Sequence, residues 1–486
     1  MDTSERGAPV AGSTDLLHGA IGPALIVFAL PTLASSILQS ASGSFNAIWV
    51  GRFLGEAALA ATANGNIIMF LLLAFVFGFG MASTILIGQA MGRTDTREAR
   101  RIAGTAVGSF VPVVIILCMA GWIYAPQLIA ILGTDAATSS LALDYLRVIF
   151  VALPFMMTFS LVSMALRGVG NSKTPLVFMG LSVILDSGLN PLLIAGLGPF
   201  PELGIRGAAL ATVIANLITL PAMVVYLYWN KSVLALQRNE VGFLLPNLAL
   251  MRTIVAKGLP IGLQMIVISS AALSMLRLVN AEGVETTSAY AVVQQLWTYV
   301  QMPAMAIGGA VSAMAAQNIG AGQWDRVGRI TRNGIIFSVV LTVVLIGLIL
   351  VFDTTLIGFF LGADSGSTPI AERILVLSTW GFAGFAVGFV IFGVVRANGE
   401  VIMPLIILTV AMYPVRLGFA YAAYPFLGAD ALWWSFPVSM MSIFLMATAL
   451  YLKGNWRHQA LPKPPTRHEC EEHGRNYGDV AGRSAA

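Results

Sequence analysis

A repeat at a spacing of 229 residues constrains this chain more than any other feature of it. Pro31 falls on Pro260, each after a small residue and a leucine, Ala29-Leu30 and Gly258-Leu259. Ala60 falls on Ala289, Arg167 on Arg396 and Pro175 on Pro404. At a spacing of 228, Gln89 falls on Gln317 and Gly92 on Gly320. A register held over so much chain means two copies of one structural unit. Both copies are apolar almost throughout, so the unit is a membrane-embedded half.

Hydrophobic residues make up 57% of the chain and charged residues only 10%, against roughly a quarter charged in a soluble domain. Apolar runs near or above the ~20 residues that cross a bilayer fall at 22–49, 59–88, 103–124, 144–166, 175–197 and 207–229. The second half repeats them at 258–280, 288–315, 334–352, 372–395, 402–424 and 431–452. Lipid offers no hydrogen bonds, so each run must be helical. The fold class is therefore an all-α membrane protein, with twelve transmembrane helices as two pseudo-symmetric six-helix bundles. The expected division is an N-tail over 1–20, one bundle over 21–230, a linker over 231–257, a second bundle over 258–452 and a disordered C-tail over 453–486, with the boundary near residue 245.

All but six of the 27 Lys and Arg residues fall in the tails or in loops on one side. Arg93, Arg97, Arg100 and Arg101 crowd one such loop, and Arg326, Arg329 and Arg332 its counterpart. The positive side stays inside, so both termini are expected in the cytoplasm of a cell with this protein in its inner membrane. The net charge of +4 thus reports topology and not nucleic-acid binding. The polar start of the chain, with Asp2, Glu5, Arg6 and Asp15, is no signal peptide. Cys118 in a span and Cys470 in the tail make no disulfide framework. His468, Cys470 and His473 read as part of a solvated tail, so no metal site is expected.

Polar groups that lipid would reject mark the residues of interest. Asp186 is the one acid near the middle of a span, and a centred Asp costs about 2.5–3.5 kcal/mol on insertion scales. Such a residue has to face protein or water, where it can take a proton from one side and release it on the other. The bland reading is a helix-packing Asp bonded to its neighbours. Asn190 shares its helix face, and Pro191 frees a backbone carbonyl one turn back. In the first span Gln39, Ser42, Gly43 and Asn46 form a stripe at i, i+3, i+4 and i+7, and Thr212 and Asn216 lie one turn apart in the sixth. Oxygen-rich groups from three helices can hold a proton network or a small cation, or can serve simply as interhelical glue.

In the second half Arg416 lies mid-span and superposes on Ser187, next to Asp186. It needs a partner or a water-filled cavity. Arg277 and Arg373, near span ends, read as snorkelling. Tyr290, Gln294, Trp297 and Gln301 form an aromatic and amide stripe in the eighth span. It fits an organic cation by cation–π contact or packed core aromatics equally well.

No Walker loop occurs, and Gly-rich runs such as Phe77-Gly78-Phe79-Gly80 lie inside spans. Any transport would draw on an ion gradient, with no other cofactor. A duplicated membrane half is the build of secondary transporters.

Several segments, in this order and spacing, resemble the multidrug and toxic compound extrusion (MATE) transporters over about residues 15–452. They are Asp15-Leu16-Leu17-His18-Gly19-Ala20-Ile21, Val50-Gly51-Arg52, Gly88-Gln89-Ala90-Met91-Gly92 and Ala316-Gln317-Asn318-Ile319-Gly320-Ala321-Gly322. Leu166-Arg167-Gly168-Val169-Gly170-Asn171-Ser172-Lys173-Thr174-Pro175 and Gly207-Ala208-Ala209-Leu210-Ala211-Thr212 complete the set. The resemblance implies alternating access between two six-helix bundles and export of organic, often cationic, compounds in exchange for H⁺ or Na⁺. It implies a coupling site at Asp186, Asn190, Asn46 and Thr212, and a substrate cavity drawing on Gln39, Asn216, Tyr290, Gln294, Trp297 and Arg416. Small organic cations or drugs and the lipid bilayer are the expected partners of a monomer. Asn46 stands where the family carries a first-span acid, the order Asp186 then Asn190 reverses the family's, and the seventh span reads Gln264-Met265-Ile266-Val267-Ile268 with no acid. That places the chain nearer the DinF-like than the NorM-like branch and favours H⁺. A flippase for lipid-linked sugars would carry a cavity rich in Arg and Lys, whereas only Arg416 is near mid-membrane here. A membrane receptor or scaffold would carry a larger cytoplasmic region, and an enzyme a nucleophile–base pair at usable spacing.

Overall fold

Apolar runs without strand-like alternation become helices, and the computed structural model, which describes residues 15–131, 136–361 and 366–459, is helical throughout its spans. The tail residues His468, Cys470 and His473 lie outside the described residues. In chain order the helices are α1 (Ile21–Gly92), α2 (Thr96–Ile123), α3 (Ala125–Ile131), α4 (Ala136–Gly168), α5 (Lys173–Ala195) and α6 (Ile205–Trp229). There follow α7 (Leu248–Asn280), α8 (Val284–Gly320), α9 (Trp324–Val351), α10 (Asp353–Leu361), α11 (Thr368–Ser378), α12 (Phe382–Ala397), α13 (Ile402–Val410), α14 (Gly418–Leu427) and α15 (Asp430–Lys453).

Among the described residues eleven segments are long and apolar enough to cross a bilayer. The 37-residue α8 supplies the twelfth span; Tyr299, Gln301, Pro303 and two glycines lower its hydropathy. The turn expected between the first two spans is tighter than a loop. The helix runs through it and breaks only at Gly55, whose φ of 79° is a conformation that glycine adopts without a Cβ penalty. In the second half α11 and α12 together make one span, as do α13 and α14.

The described residues sort into two compact units, one over Leu30–Leu259 and the other over Leu16–Ala29 with Pro260–Leu461. The stretch Leu16–Ala29 thus belongs to the core of the second unit. Leu16, Leu25 and Phe28 are each 1% exposed there, Asn318 Nδ2 donates to the Leu16 carbonyl at 3.0 Å and Arg326 donates to the Gly19 carbonyl at 3.1 Å.

Each unit ties the start of its fourth span to the start of its sixth with an ion pair. Asp144 on α4 meets Arg206 on α6 at 2.8 Å. Arg373 on α11, which the sequence reads as snorkelling, instead pairs with Asp430 on α15, its Nε donating at 2.7 Å. Asp144 and Arg373 are 229 positions apart, so the clamp is repeated with its polarity reversed.

In the first unit the linker is seated on α2. Gly104 and Gly108 leave room for the Phe243 and Leu244 carbonyls, which a Cβ would meet at 2.9 and 1.8 Å. Arg100 and Glu240 approach to 2.7 Å, and the Gln237 N–H also donates to that carboxylate at 3.1 Å. Burial works against the charge of Glu240, but Arg100 and Gln237 prevail and hold its carboxyl below the ordinary glutamate range. A carboxyl depressed in the folded state stabilises above its unfolded pKa of about 4.3, and that contribution is lost as pH falls through the folded value. Linker docking is therefore expected to stay constant from neutrality down to about pH 5 and to weaken below it. Gly108→Val should undock the linker at every pH. Proteolytic cleavage after the exposed Arg238 checks both; equal cleavage of the variant and the parent at pH 7 would rule out the seat.

Candidate functional site

The fifth span is built to hold its polar groups in one place. Asn171 opens α5 by accepting the Thr174 N–H at 3.0 Å and donating to the Thr174 hydroxyl at 2.9 Å, which satisfies groups a helix start leaves free. Gly196 closes it in the left-handed conformation, φ 65°. The chain then turns back into α6, where Gly207 is pressed against the Leu193 carbonyl; a Cβ there would come within 2.3 Å. That approach packs α6 along α5 and brings Thr212 level with Asp186.

Asp186 is buried, 6% exposed, and both carboxylate oxygens are bonded. Thr212 Oγ1 on α6 donates to Oδ1 at 2.8 Å, and Ser42 Oγ on α1 donates to Oδ2 at 3.2 Å. Among the described residues no Lys or Arg pairs with it. Asn190 is fully buried; its Nδ2 donates back to the Asp186 carbonyl at 2.9 Å, while its Oδ1 accepts nothing from the protein. Asn216 likewise donates to the Thr212 carbonyl at 2.9 Å. The carbonyl bonds of both Asn side chains span one helical turn.

Asn46, two turns along α1 from Gln39, lies beside Tyr145 of α4, close enough for the phenol to sense it, although its buried Oδ1 takes no hydrogen bond. Tyr145 is itself near enough to Asp186 to feel its charge. Its ring is 2% exposed and rests on Gly65, where a Cβ would stand 2.9 Å from it. Thus α1, α4, α5 and α6 all reach one polar cluster inside the first unit. Gln39 stays outside it, exposed on α1. Ser42 lies on the stripe already noted but was not singled out within it. Tyr145 had no local signal: a tyrosine at the start of an apolar span reads as an interfacial residue, and only the packing of α4 on α6 turns it inward.

In the second unit the aromatic stripe enters the core. Tyr290 and Trp297 are 1% and 2% exposed, and their rings meet those of Trp433, Phe436 and Phe382 at centroid distances of 4.7–6.1 Å. Trp297 Nε1 donates to Thr379 Oγ1 at 3.0 Å and Gln294 Nε2 to the Tyr290 hydroxyl at 2.6 Å. Arg416 sits on a wide helical turn, Ala411–Leu417. Pro414 within it cannot donate to the carbonyl one turn back, and the ladder widens there. The Arg416 guanidinium lies 4.5 Å above the Phe436 ring and its Nε donates to Ser439 Oγ at 2.9 Å.

A protein-family model described as MatE matches the chain twice, over residues 31–192 and 260–422, the two repeats read from the sequence. The probable multidrug resistance protein YoeA of Bacillus subtilis (strain 168) is 33% identical over 427 residues, covering 87% of this chain and 92% of that protein. The multidrug export protein MepA of Staphylococcus aureus (strain COL) is 23% identical, covering 78% and 82%. The crystal structure of a MATE protein in complex with MaL6 superposes with a TM-score of 0.85 at 18% identity, over 93% of this chain and 99% of that one. An outward-facing MATE transporter of the MOP superfamily superposes with a TM-score of 0.84 at 17% identity, over the same shares.

A hydrogen bond to an ionised carboxylate contributes about 1.5–3 kcal/mol. Thr212→Val should therefore destabilise the protein by about that much in mixed-micelle unfolding, and by distinctly less in an Asp186→Asn background. A coupling above about 1 kcal/mol in the double-mutant cycle is the expected result; strict additivity would mean that the two side chains do not interact.

Proposed function

The chain belongs to the MatE family of membrane transporters, and we propose that it is a secondary antiporter that exports small organic, often cationic, compounds in exchange for H⁺, with Asp186 as the coupling carboxyl. The observation that carries this is the company Asp186 keeps. A carboxylate tied to Arg or Lys is locked in its charged form, whereas this one, among the described residues, is held by the Ser42 and Thr212 hydroxyls. A hydroxyl donates to a carboxylate and, by turning its proton away, accepts from a carboxylic acid. Both protonation states can be bonded by the same two side chains, so the group can change charge without leaving an orphaned polar atom in the span.

On this reading the ionised Asp186 keeps the first unit receptive to a cationic compound from the cytoplasm. After the outward-facing state is reached, a proton from outside neutralises Asp186 and weakens that attraction. The compound leaves, and the return carries the proton inward. The ion drives the cycle only through different affinity in the two states, and one charge crossing the full field contributes about 2.3 kcal/mol per 100 mV. The names of the relatives YoeA and MepA support drugs as cargo. The Arg-rich loop at 93–101 and its counterpart at 326–332 support cytoplasmic termini in a cell inner membrane.

Exchange for Na⁺ is the second reading, and it rests on two amide oxygens, Asn46 Oδ1 and Asn190 Oδ1, that accept nothing from the protein. With Asp186 they present oxygen ligands of the kind a hard cation takes. Imposing pH and Na⁺ gradients separately on proteoliposomes loaded with a dye cation such as ethidium separates the two. A pH gradient is expected to drive efflux, Asp186→Asn to abolish that response in a folded protein, and Asp186→Glu to retain part of it. Full pH-driven efflux by Asp186→Asn would refute the assignment. Asn46→Asp should raise the response to Na⁺.

A further inference from the structure

Arg416 is a charged group that proton coupling leaves unused. Its side chain is 6% exposed, and among the described residues no carboxylate pairs with it. One guanidinium edge is held: Nε donates to Ser439 Oγ and the plane lies over Phe436. Among the described residues the two terminal nitrogens make no hydrogen bond to the protein. A guanidinium held at one edge and unbonded at the other presents the fork that matches carboxylate and phosphate oxygens. Tyr290 adds to it. Its hydroxyl lies near enough to sense the Arg416 charge and already accepts from Gln294, so its own O–H remains available to donate.

Had Arg416 served only to bind helices together, its terminal N–H groups would be expected on carbonyls or an acid of the neighbouring helices. Ser439 and a ring face orient it without neutralising it. We propose that Arg416, oriented by Ser439 and with Tyr290 beside it, forms an oxyanion subsite within the second unit, which takes the carboxylate or phosphate of an anionic or zwitterionic cargo molecule. This rests on the exporter reading for the identity of the occupant and on the geometry alone for the chemistry. It widens the expected cargo beyond plain organic cations: the unit that lacks a mid-span acid would recognise the negative end of a compound.

The probes are a fluorescent aromatic amine bearing a free carboxylate and the methyl ester of the same amine. Their affinities for the purified full-length protein are measured by fluorescence polarisation, first in detergent and then in vesicles of phosphatidylcholine with or without phosphatidylglycerol. The parent protein is expected to bind the acid at least about tenfold more tightly than the ester, as a charge-assisted bidentate contact requires. Arg416→Gln should bring that ratio close to one, and Arg416→Lys, which keeps the charge and loses the fork, should leave an intermediate ratio. Because each result is a ratio of two ligands on one preparation, a poorly folded variant lowers both affinities and does not mimic the effect. A ratio unchanged in Arg416→Gln, or a ratio near one in the parent, would overturn the subsite. Loss of the acid's advantage on adding phosphatidylglycerol would overturn cargo as the occupant and assign the site to a lipid headgroup. Efflux of the ester under a pH gradient reports separately on the exporter reading. Efflux with an Arg416-independent ratio sinks the subsite alone, while an Arg416-dependent ratio without efflux sinks the exporter reading and leaves the oxyanion chemistry standing.

Discussion

A carboxyl in the middle of a lipid-spanning helix cannot rely on lipid for any hydrogen bond, so its own unit has to supply partners for it. Among the described residues Asp186 obtains two, both from hydroxyls and both from other helices. That arrangement dictates much of the surrounding structure. Thr212 reaches Asp186 because α6 lies against α5, and α6 lies there because Gly207 has no side chain to hold it off the Leu193 carbonyl. Ser42 reaches it from α1, and Tyr145 closes in from α4 over Gly65. Two glycines and two short hydroxyl side chains thus do for the carboxyl what a basic residue would do elsewhere, without fixing its charge.

The fold was legible in the chain because lipid simplifies the problem. Length and hydropathy fix the helices, and the 229-residue register fixes their grouping into two halves. The polar cluster was legible for a related reason. Asp186, Asn190, Thr212 and Asn216 each violate the composition of their span, so each announced itself. Periodicity then placed Asn190 on the face of Asp186, and the structure joins the two through a one-turn bond.

What was not legible follows from tertiary packing. Tyr145 is an ordinary residue for its place in the sequence, and only the approach of α4 to α6 makes it part of the cluster. Gln39 satisfies the same periodicity as Ser42 and Asn46 yet is exposed on α1, outside the cluster around Asp186. The stripe of Tyr290 and Trp297 is a helix face in the sequence and a ring cluster in the structure, because Trp433 and Phe436, more than 130 positions away in the chain, come to lie on it. The start of the chain is likewise unremarkable until Asn318 and Arg326 bind its carbonyls.

The two halves share their helices and differ in their charges. The ion pair between the fourth and sixth spans is Asp to Arg in one unit and Arg to Asp in the other. Its attraction is the same with the signs exchanged, so the join constrains the pairing and not its polarity. The fifth and eleventh spans obey no such rule. Pro191 follows Asn190 in one, and Pro414 precedes Arg416 in the other, opening a wide turn that the first unit lacks. The helix thus stays regular past Asp186 and widens around Arg416, and the neighbours differ to match: hydroxyls around an acid, and a ring and a hydroxyl around a base. Where two spans need only be held together the repeat keeps its geometry, and where a buried charge must be accommodated each unit has built its own surroundings for it.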